Sequence, residues 1–479
     1  MSAFDDGSME QTRRDFVRRA AAVGALAVPG VSAISSCAVG GGGGGGTEQV
    51  KGAVSATNPL GVKKTAPLEV IIFNGGYGDK YAEYHVKMYE KRYPKANAKM
   101  SSTQQIQQTL QPRFVAGNPP DVIDNAGGHN MDTAGLVSQG QVADLSDLLK
   151  APSLDIKGKT VEETLLPGVV KTGSFDGTPR ILNYVYQIWG FWHSQPLFEK
   201  QGWEEPKTWD EMMSLCAKIK KTTDMAPFTY TGVYPYYIYE PLLTMAAKNG
   251  GEEVLVNIDN LEPNAWKQDS VIAAAEALHE LRAKDYILSG SKALTHTESQ
   301  TAWVKGKAAF IPVGSWVENE MKSVTPDGFD MVVQPTPSLS SSDALPYETI
   351  HAKADEPFLV PSQAKNVRGG MEYLRIMLSK QGGRKFAELT HALPVVEGAA
   401  EGLEASTALA SVREASKAAG QHRVQWLFRS WYAKLDEAVQ DATGAMMAGE
   451  IGVDKWAQRC QKAADRTAKD DSIKKYHRS

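Results

Sequence analysis

Three carboxylates, Asp79, Glu318 and Glu356, stand beside predicted loops or chain crossings, where a pair of acids could serve as proton donor and base on a glycosidic bond. Each is read more simply as a helix-cap, surface or hinge acid. The nine histidines contain no HExxH and the cysteines no CxxC, so no metal centre is expected. His129 and His351 fall in or near loops, and isolated histidines are more often ordinary polar residues than ligands. No GxxxxGK[ST] occurs and the glycine spacing fails GxGxxG, so no nucleotide and no cofactor is expected. The aromatic residues hold the remaining chemistry. Val233-Tyr234-Pro235-Tyr236-Tyr237-Ile238-Tyr239 reads as a dense aromatic loop, and four tyrosines in six positions cannot all face one core. Trp316 is either another core residue or a group shown to a ligand, because it ends a strand where open α/β sheets present their binding groups.

The element that must hold Trp316 is Ala302–Lys322. Ala308 to Val313 is an apolar run that reads as a buried strand, bracketed by Gly306 and Gly314, with Ser315-Trp316 directly after it. Glu318-Asn319-Glu320 then open a helix with acids in its first turn, where the helix dipole favours them. Upstream, Leu68–Phe73 is a strand suited to a sheet covered on both faces, followed by the loop Asn74-Gly75-Gly76-Tyr77-Gly78 and by Asp79 as a helix cap. Ile106, Leu110 and Phe114 recur at helical spacing, and Asp121–Asp124 is a second parallel strand ending in the polar loop Asn125–Asn130. Thr208-Trp209-Asp210-Glu211 fits a capping box ahead of a helix with Met212, Leu215 and Ile219 on its apolar face. Phe228–Tyr230, Asp330–Val333 and Pro357–Pro361 read as short strands, and Gln425–Ala448 and Asp454–Lys469 as long closing helices. Alternating strands and helices imply mostly parallel sheets flanked by helices, with the Ala308 strand returning to the first of them.

The N-terminus reads as an address, not as part of the fold. Thr12-Arg13-Arg14-Asp15-Phe16 is a twin-arginine export pattern, followed by an apolar stretch too short to span a bilayer. Ile34-Ser35-Ser36-Cys37 resembles a lipoprotein cleavage box, which makes Cys37 the lipidated first residue. The seven glycines Gly40–Gly46 and the polar residues up to 66 read as a flexible tether reaching roughly 30 Å. The net charge of −4, without a basic field, argues against nucleic acid as a partner. Only Cys216 and Cys460 remain after Cys37, so the chain is no disulfide scaffold, although a bridge between the two stays open. Roughly 410 folded residues exceed what one core usually supports, so two lobes are expected.

In this order the chain resembles the carbohydrate-binding proteins of ABC importers, the extracellular solute-binding protein family 1. The resemblance runs from about Leu68 to the C-terminus. It rests on the lipoprotein start, the opening strand, Gly117-Asn118-Pro119-Pro120-Asp121-Val122, Thr208-Trp209-Asp210-Glu211, and Gly306-Lys307-Ala308-Ala309-Phe310 with Gly314-Ser315-Trp316. Gly314 to Met321, Pro357 to Ser362 and Gly370 to Arg375 look like the type that binds N-acetylglucosamine or diacetylchitobiose.

The resemblance implies a two-lobed periplasmic-binding-protein-like α/β fold of type II with a hinged central cleft and no catalysis. By this reading residues 1–36 are signal, 37–66 tether, 67–178 and 306–353 the first lobe, and 181–303 and 356–479 the second. The chain would cross between lobes near Thr178–Ile181, Trp303–Gly306 and Lys353–Glu356. Trp316 and Tyr236 match sugar-stacking positions, Ser315 adjoins Trp316, and Asn74, Tyr77, Asp79, Asn125 and His129 lie in ligand-contacting loops. Glycines and His129 stand where maltose binders carry charged groups, which suggests a different sugar. The implied partners are a small carbohydrate, the transmembrane subunits of an ABC permease, and the membrane through a lipid on Cys37. The implied state is a monomer, exported by the twin-arginine route and facing the cell exterior. The alternatives are an exported glycoside hydrolase and a surface sugar-binding protein without a transport role.

Overall fold

A computed structural model describes residues 49–478. Arg13, Arg14, Cys37 and the glycine run lie outside the described residues. Within them the chain runs β1 (Leu68–Phe73), α1 (Lys80–Arg92), β2 (Ala98–Thr103), α2 (Ile106–Val115), β3 (Val122–Asp124) and β4 (Leu182–Ser194). It continues α3 (Trp209–Thr222), β5 (Ala226–Phe228), α4 (Tyr236–Gly250), α5 (Asp269–Ala283), β6 (Ala308–Gly314), α6 (Val317–Met321), β7 (Met331–Gln334) and β8 (Ile350–Leu359). The main closing helices are α7 (Val367–Met377), α8 (Lys380–Thr390), α9 (Ala433–Met447) and α10 (Val453–Lys469).

The apolar run of β1 is buried on both faces because its side chains alternate. Leu68, Val70 and Ile72 enter a core with Tyr184, Phe358, Tyr373 and Phe386, while Ile71 enters another with Ile106, Leu110 and Phe114. A further core gathers Phe191, Trp209, Cys216, Phe228, Phe310, Trp456 and Cys460. The capping box ahead of α3 is present: the Glu211 amide donates to Thr208 Oγ1 at 3.4 Å and the Thr208 amide to Glu211 Oε2 at 3.2 Å.

Strand order is β2-β1-β3-β8-β4-β6-β5, with β7 also on β4. Pairing is parallel in β2-β1-β3 and in β5-β6, but β8 and β4 are antiparallel to their neighbours. The sheet is therefore mixed and not mostly parallel. β4 carries Tyr184 and Val185 in the first core and Phe191 in the last-named one, so one strand contributes to both cores. The β4–β8 ladder skips Glu356, whose φ of 61° puts a non-glycine residue in the left-handed region.

Several expectations are corrected. β6 does not pair with the opening strands β1–β3: Ala308 pairs with Ala226, and Gly314 with Trp189. Conversely, Phe358 and Leu359 pair with Asp124 and Ile123 of β3. Part of the stretch read as tether is packed. Leu60 and Val62 are buried in the first core, and the Asn58 side chain closes their turn by accepting from the Val62 amide at 2.9 Å and donating to the Val62 carbonyl at 2.9 Å. Tyr236 to Tyr239 begin a helix, not a loop, and α4 is buried on nearly every face, which accommodates its aromatic residues. Pro357 to Leu359 belong to the longer β8, and the expected Gln425 helix starts only at Ala433, after a short turn at Phe428–Trp431. Cys216 and Cys460 are buried free thiols, and burial pushes both up, Cys216 to about 12.

Candidate functional site

The loops that follow β1, β3 and β6 meet the start of α4, the middle of β8 and α9 around a cavity of about 740 Å³. Trp316 stands in its wall, half-buried. The indole folds back over its own turn, where a Cβ at Gly314 would fall 1.9 Å from the ring, so only glycine fits at 314. Trp189 meets the Trp316 ring edge-on at 4.8 Å and Tyr237 at 6.1 Å. Such edge-to-face packing fixes an aromatic plane while leaving part of it free. Ser315 does not line the cavity. Its amide donates to the Ile188 carbonyl at 2.9 Å and its hydroxyl accepts from the Ile188 amide at 3.3 Å, pinning the Trp316 turn to β4.

Tyr236 lines the cavity with the Arg429 guanidinium 3.8 Å from its ring centre, a cation–π contact that occupies one face. Burial pushes its hydroxyl up to about 12. Behind Arg429 lie Glu240 at 3.6 Å and Asp436 at 3.7 Å, and Glu240 also meets His351 at 2.5 Å. His351 is fully buried in this network, away from the cavity surface.

Tyr77, Asn125 and His129 also line the cavity. Asn125 is committed to its own loop: its amide donates to the Met131 carbonyl at 3.1 Å and to Thr133 Oγ1 at 3.0 Å, and its oxygen accepts from the Met131 amide at 2.9 Å. That bonding shapes the loop from 126 to 130. His129 is exposed, its ring 6.1 Å from that of Tyr234. Asn74 and Asp79 do not reach the cavity. Asn74 is exposed, and Asp79 does not cap α1 but accepts from Ser102 Oγ at 2.6 Å.

Of the three acids read as rival catalysts, only Glu356 lines the cavity. It shares a hydrogen bond with Asp124 on the neighbouring strand; burial pushes both carboxyls above the usual range, and the Asp124 charge adds to the rise of Glu356. Glu318 lies 3.6 Å from His391. Sequence reasoning missed Trp189, Gln187, Glu320 and Arg429, all of which line the cavity. Glu320 was hidden by its reading as a helix-dipole acid, and Arg429 by its place in a supposed long helix. Among the described residues no His/Cys/Asp/Glu group is arranged to hold a metal ion, and no helix is long and apolar enough to cross a membrane.

The sequence profile of the bacterial extracellular solute-binding proteins matches residues 75–384. The chain belongs to that family. It is 34% identical over 473 residues to the diacetylchitobiose binding protein NgcE of Streptomyces coelicolor, covering 98% of each chain. It is 22% identical over 320 residues to the multiple sugar-binding protein of Streptococcus mutans, covering 66% of this chain and 72% of that one. Among solved structures, a chitin oligosaccharide binding protein superposes with a TM-score of 0.67 at 20% identity, over 81% of this chain and 94% of that one. RafE in complex with raffinose superposes at 0.65 and 17% identity, over 83% and 99%. These structures share the two-lobed fold, and the family is one of solute-binding proteins, not enzymes.

Proposed function

We propose that this solute-binding protein captures diacetylchitobiose or N-acetylglucosamine in the cavity beside Trp316 and delivers it to the permease of an ABC importer. The observation that carries the reading is near-full-length likeness to a diacetylchitobiose binding protein, in a chain whose cavity is walled by Trp189, Tyr236, Tyr237 and Trp316. Sugar rings offer C–H faces that stack on aromatic planes, and a few fixed polar groups then choose the hydroxyls and amides. In this reading the first lobe takes 67–178 and 356–399, and the second takes 181–353 with the closing helices. Ligand stabilises a closed arrangement of the lobes as far as it binds that arrangement better.

Export by the twin-arginine pattern at Arg13-Arg14, lipidation at Cys37 and a monomeric, outward-facing state belong to the same proposal. Leu60 and Val62, docked in the first core, then belong to the folded body.

The test is a thermal-shift screen with N-acetylglucosamine, diacetylchitobiose, maltose and cellobiose, since a ligand of the folded state raises the melting temperature by mass action. The acetylated sugars are expected to raise it and the other two to leave it unchanged. A shift with maltose alone would overturn the assignment, and turnover of chitooligosaccharide by the pure protein would favour the hydrolase instead.

A further inference from the structure

Below the aromatic wall, three polar side chains from different elements converge on the cavity. Tyr77 comes from the loop after β1, Gln187 from the middle of β4 and Glu320 from α6. Tyr77 is 6% exposed, Gln187 5%, and the Glu320 side chain 8%. Glu320 Oε1 lies 3.2 Å from His296 Nε2, but Oε2 is buried without a hydrogen-bond partner. The Tyr77 hydroxyl is likewise buried and unpartnered, although the Gln187 amide stands beside it.

Buried polar atoms in folded proteins nearly always find partners, so two orphans at one cavity mark a place where another molecule completes the bonding. A carboxylate oxygen only accepts, whereas a phenol both donates and accepts. The group that satisfies them must therefore bring a donor for Glu320 and either a donor or an acceptor for Tyr77. The other charges nearby are compensated and leave Glu320 as the acceptor to satisfy. Asp355 and Glu356 also line the floor, with Asp124 behind Glu356, and Lys353 pairs with Asp355 at 3.1 Å.

We propose that Tyr77, Gln187 and Glu320 form a polar subsite that grips a neutral hydroxyl or acetamido group of the sugar, and that the acceptor-only Glu320 carboxylate rejects sugars bearing a carboxylate or phosphate at that position. This rests on the sugar-binding reading above. A site built around a hydrogen bond discriminates strongly against a ligand that lacks the matching group, because its own buried atoms are then left unpaired. Like charge set against a wrong ligand adds exclusion.

Calorimetric titration of the full chain with diacetylchitobiose tests the subsite. Glu320→Gln should weaken binding at least tenfold and Tyr77→Phe about fivefold, with glucuronic acid failing to bind the wild type. Tyr77→Phe removes one oxygen and leaves the ring against Phe386, 5.5 Å away, so it gives a reading even if Glu320→Gln folds poorly. Wild-type binding with both variants within twofold of it would overturn the subsite alone. Wild-type protein that bound no neutral sugar would sink the cavity reading and the subsite together.

Discussion

Gly76 lies flat against the Trp316 indole: a Cβ built on it would fall 2.6 Å from Cδ1, and its carbonyl accepts from Asn319 Nδ2 at 2.7 Å. The loop after β1 and the turn after β6 thus fix the ring from two sides. Gly76→Ala should displace the indole or the loop, because overpacking of this kind costs about 1–3 kcal/mol. Affinity for diacetylchitobiose is expected to drop about tenfold by calorimetry while the melting temperature moves little.

Trp316→Ala removes the platform itself. Affinity should fall about 100-fold, on the order of 2–3 kcal/mol for a central aromatic contact. The fold should persist, as judged by far-ultraviolet dichroism. Unchanged affinity would take Trp316 out of the site.

Arg429→Met leaves Glu240, whose side chain is 1% exposed, with one fewer cationic neighbour. Removing one member of a buried charge group typically destabilises by about 3–5 kcal/mol. His351 still contacts Glu240, so the lower end of that range is expected in urea unfolding. Arg429→Lys should keep more of the stability yet lose the planar contact with Tyr236.

The Asp124–Glu356 pair predicts an unusual pH profile. Burial raises the Asp124 carboxyl from 3.8 to about 8, with the Tyr81 hydroxyl donating to it at 3.1 Å in partial opposition. Between these values the folded chain holds a proton that the unfolded chain releases. The contribution is therefore full below about pH 4 and is lost as pH rises through 8. Asp124→Asn should flatten the decline of melting temperature on the alkaline side. An identical pH profile in the variant would refute the shared proton.

Cys216 and Cys460 should stay silent to an aromatic disulfide reagent in the native protein and react only after denaturation, since burial disfavours the thiolate. Rapid native labelling of either thiol would contradict their placement.

Much of the fold was legible because local rules acted alone. The capping box at Thr208, the stripe of Ile106, Leu110 and Phe114, and the apolar β1 each needed only a few neighbouring residues. What failed depended on long-range pairing. The partner of β6 is set by β4 and β5, more than 80 residues upstream at Ala226, and an apolar run carries no label for its neighbour. Tyr236 to Tyr239 looked like a loop because a helix buried all round loses the amphipathic signature. For the site, Trp316 could be picked out by its place after a strand. Glu320 and Arg429 could not, because an isolated charged residue does not reveal what it faces.

The β4–β8 ladder pairs seven residues, from His351 with Trp189 to Phe358 with Leu182. Where two lobes are joined by loose loops, they can swing with little resistance. If the lobes proposed above rotate, they must twist this hydrogen-bonded ribbon, which would act as a torsion bar with a restoring force. Its weakest point is the unpaired Glu356, so elastic compliance is concentrated at a residue that also faces the cavity. The break in the ladder and the lining of the cavity thus coincide at one residue.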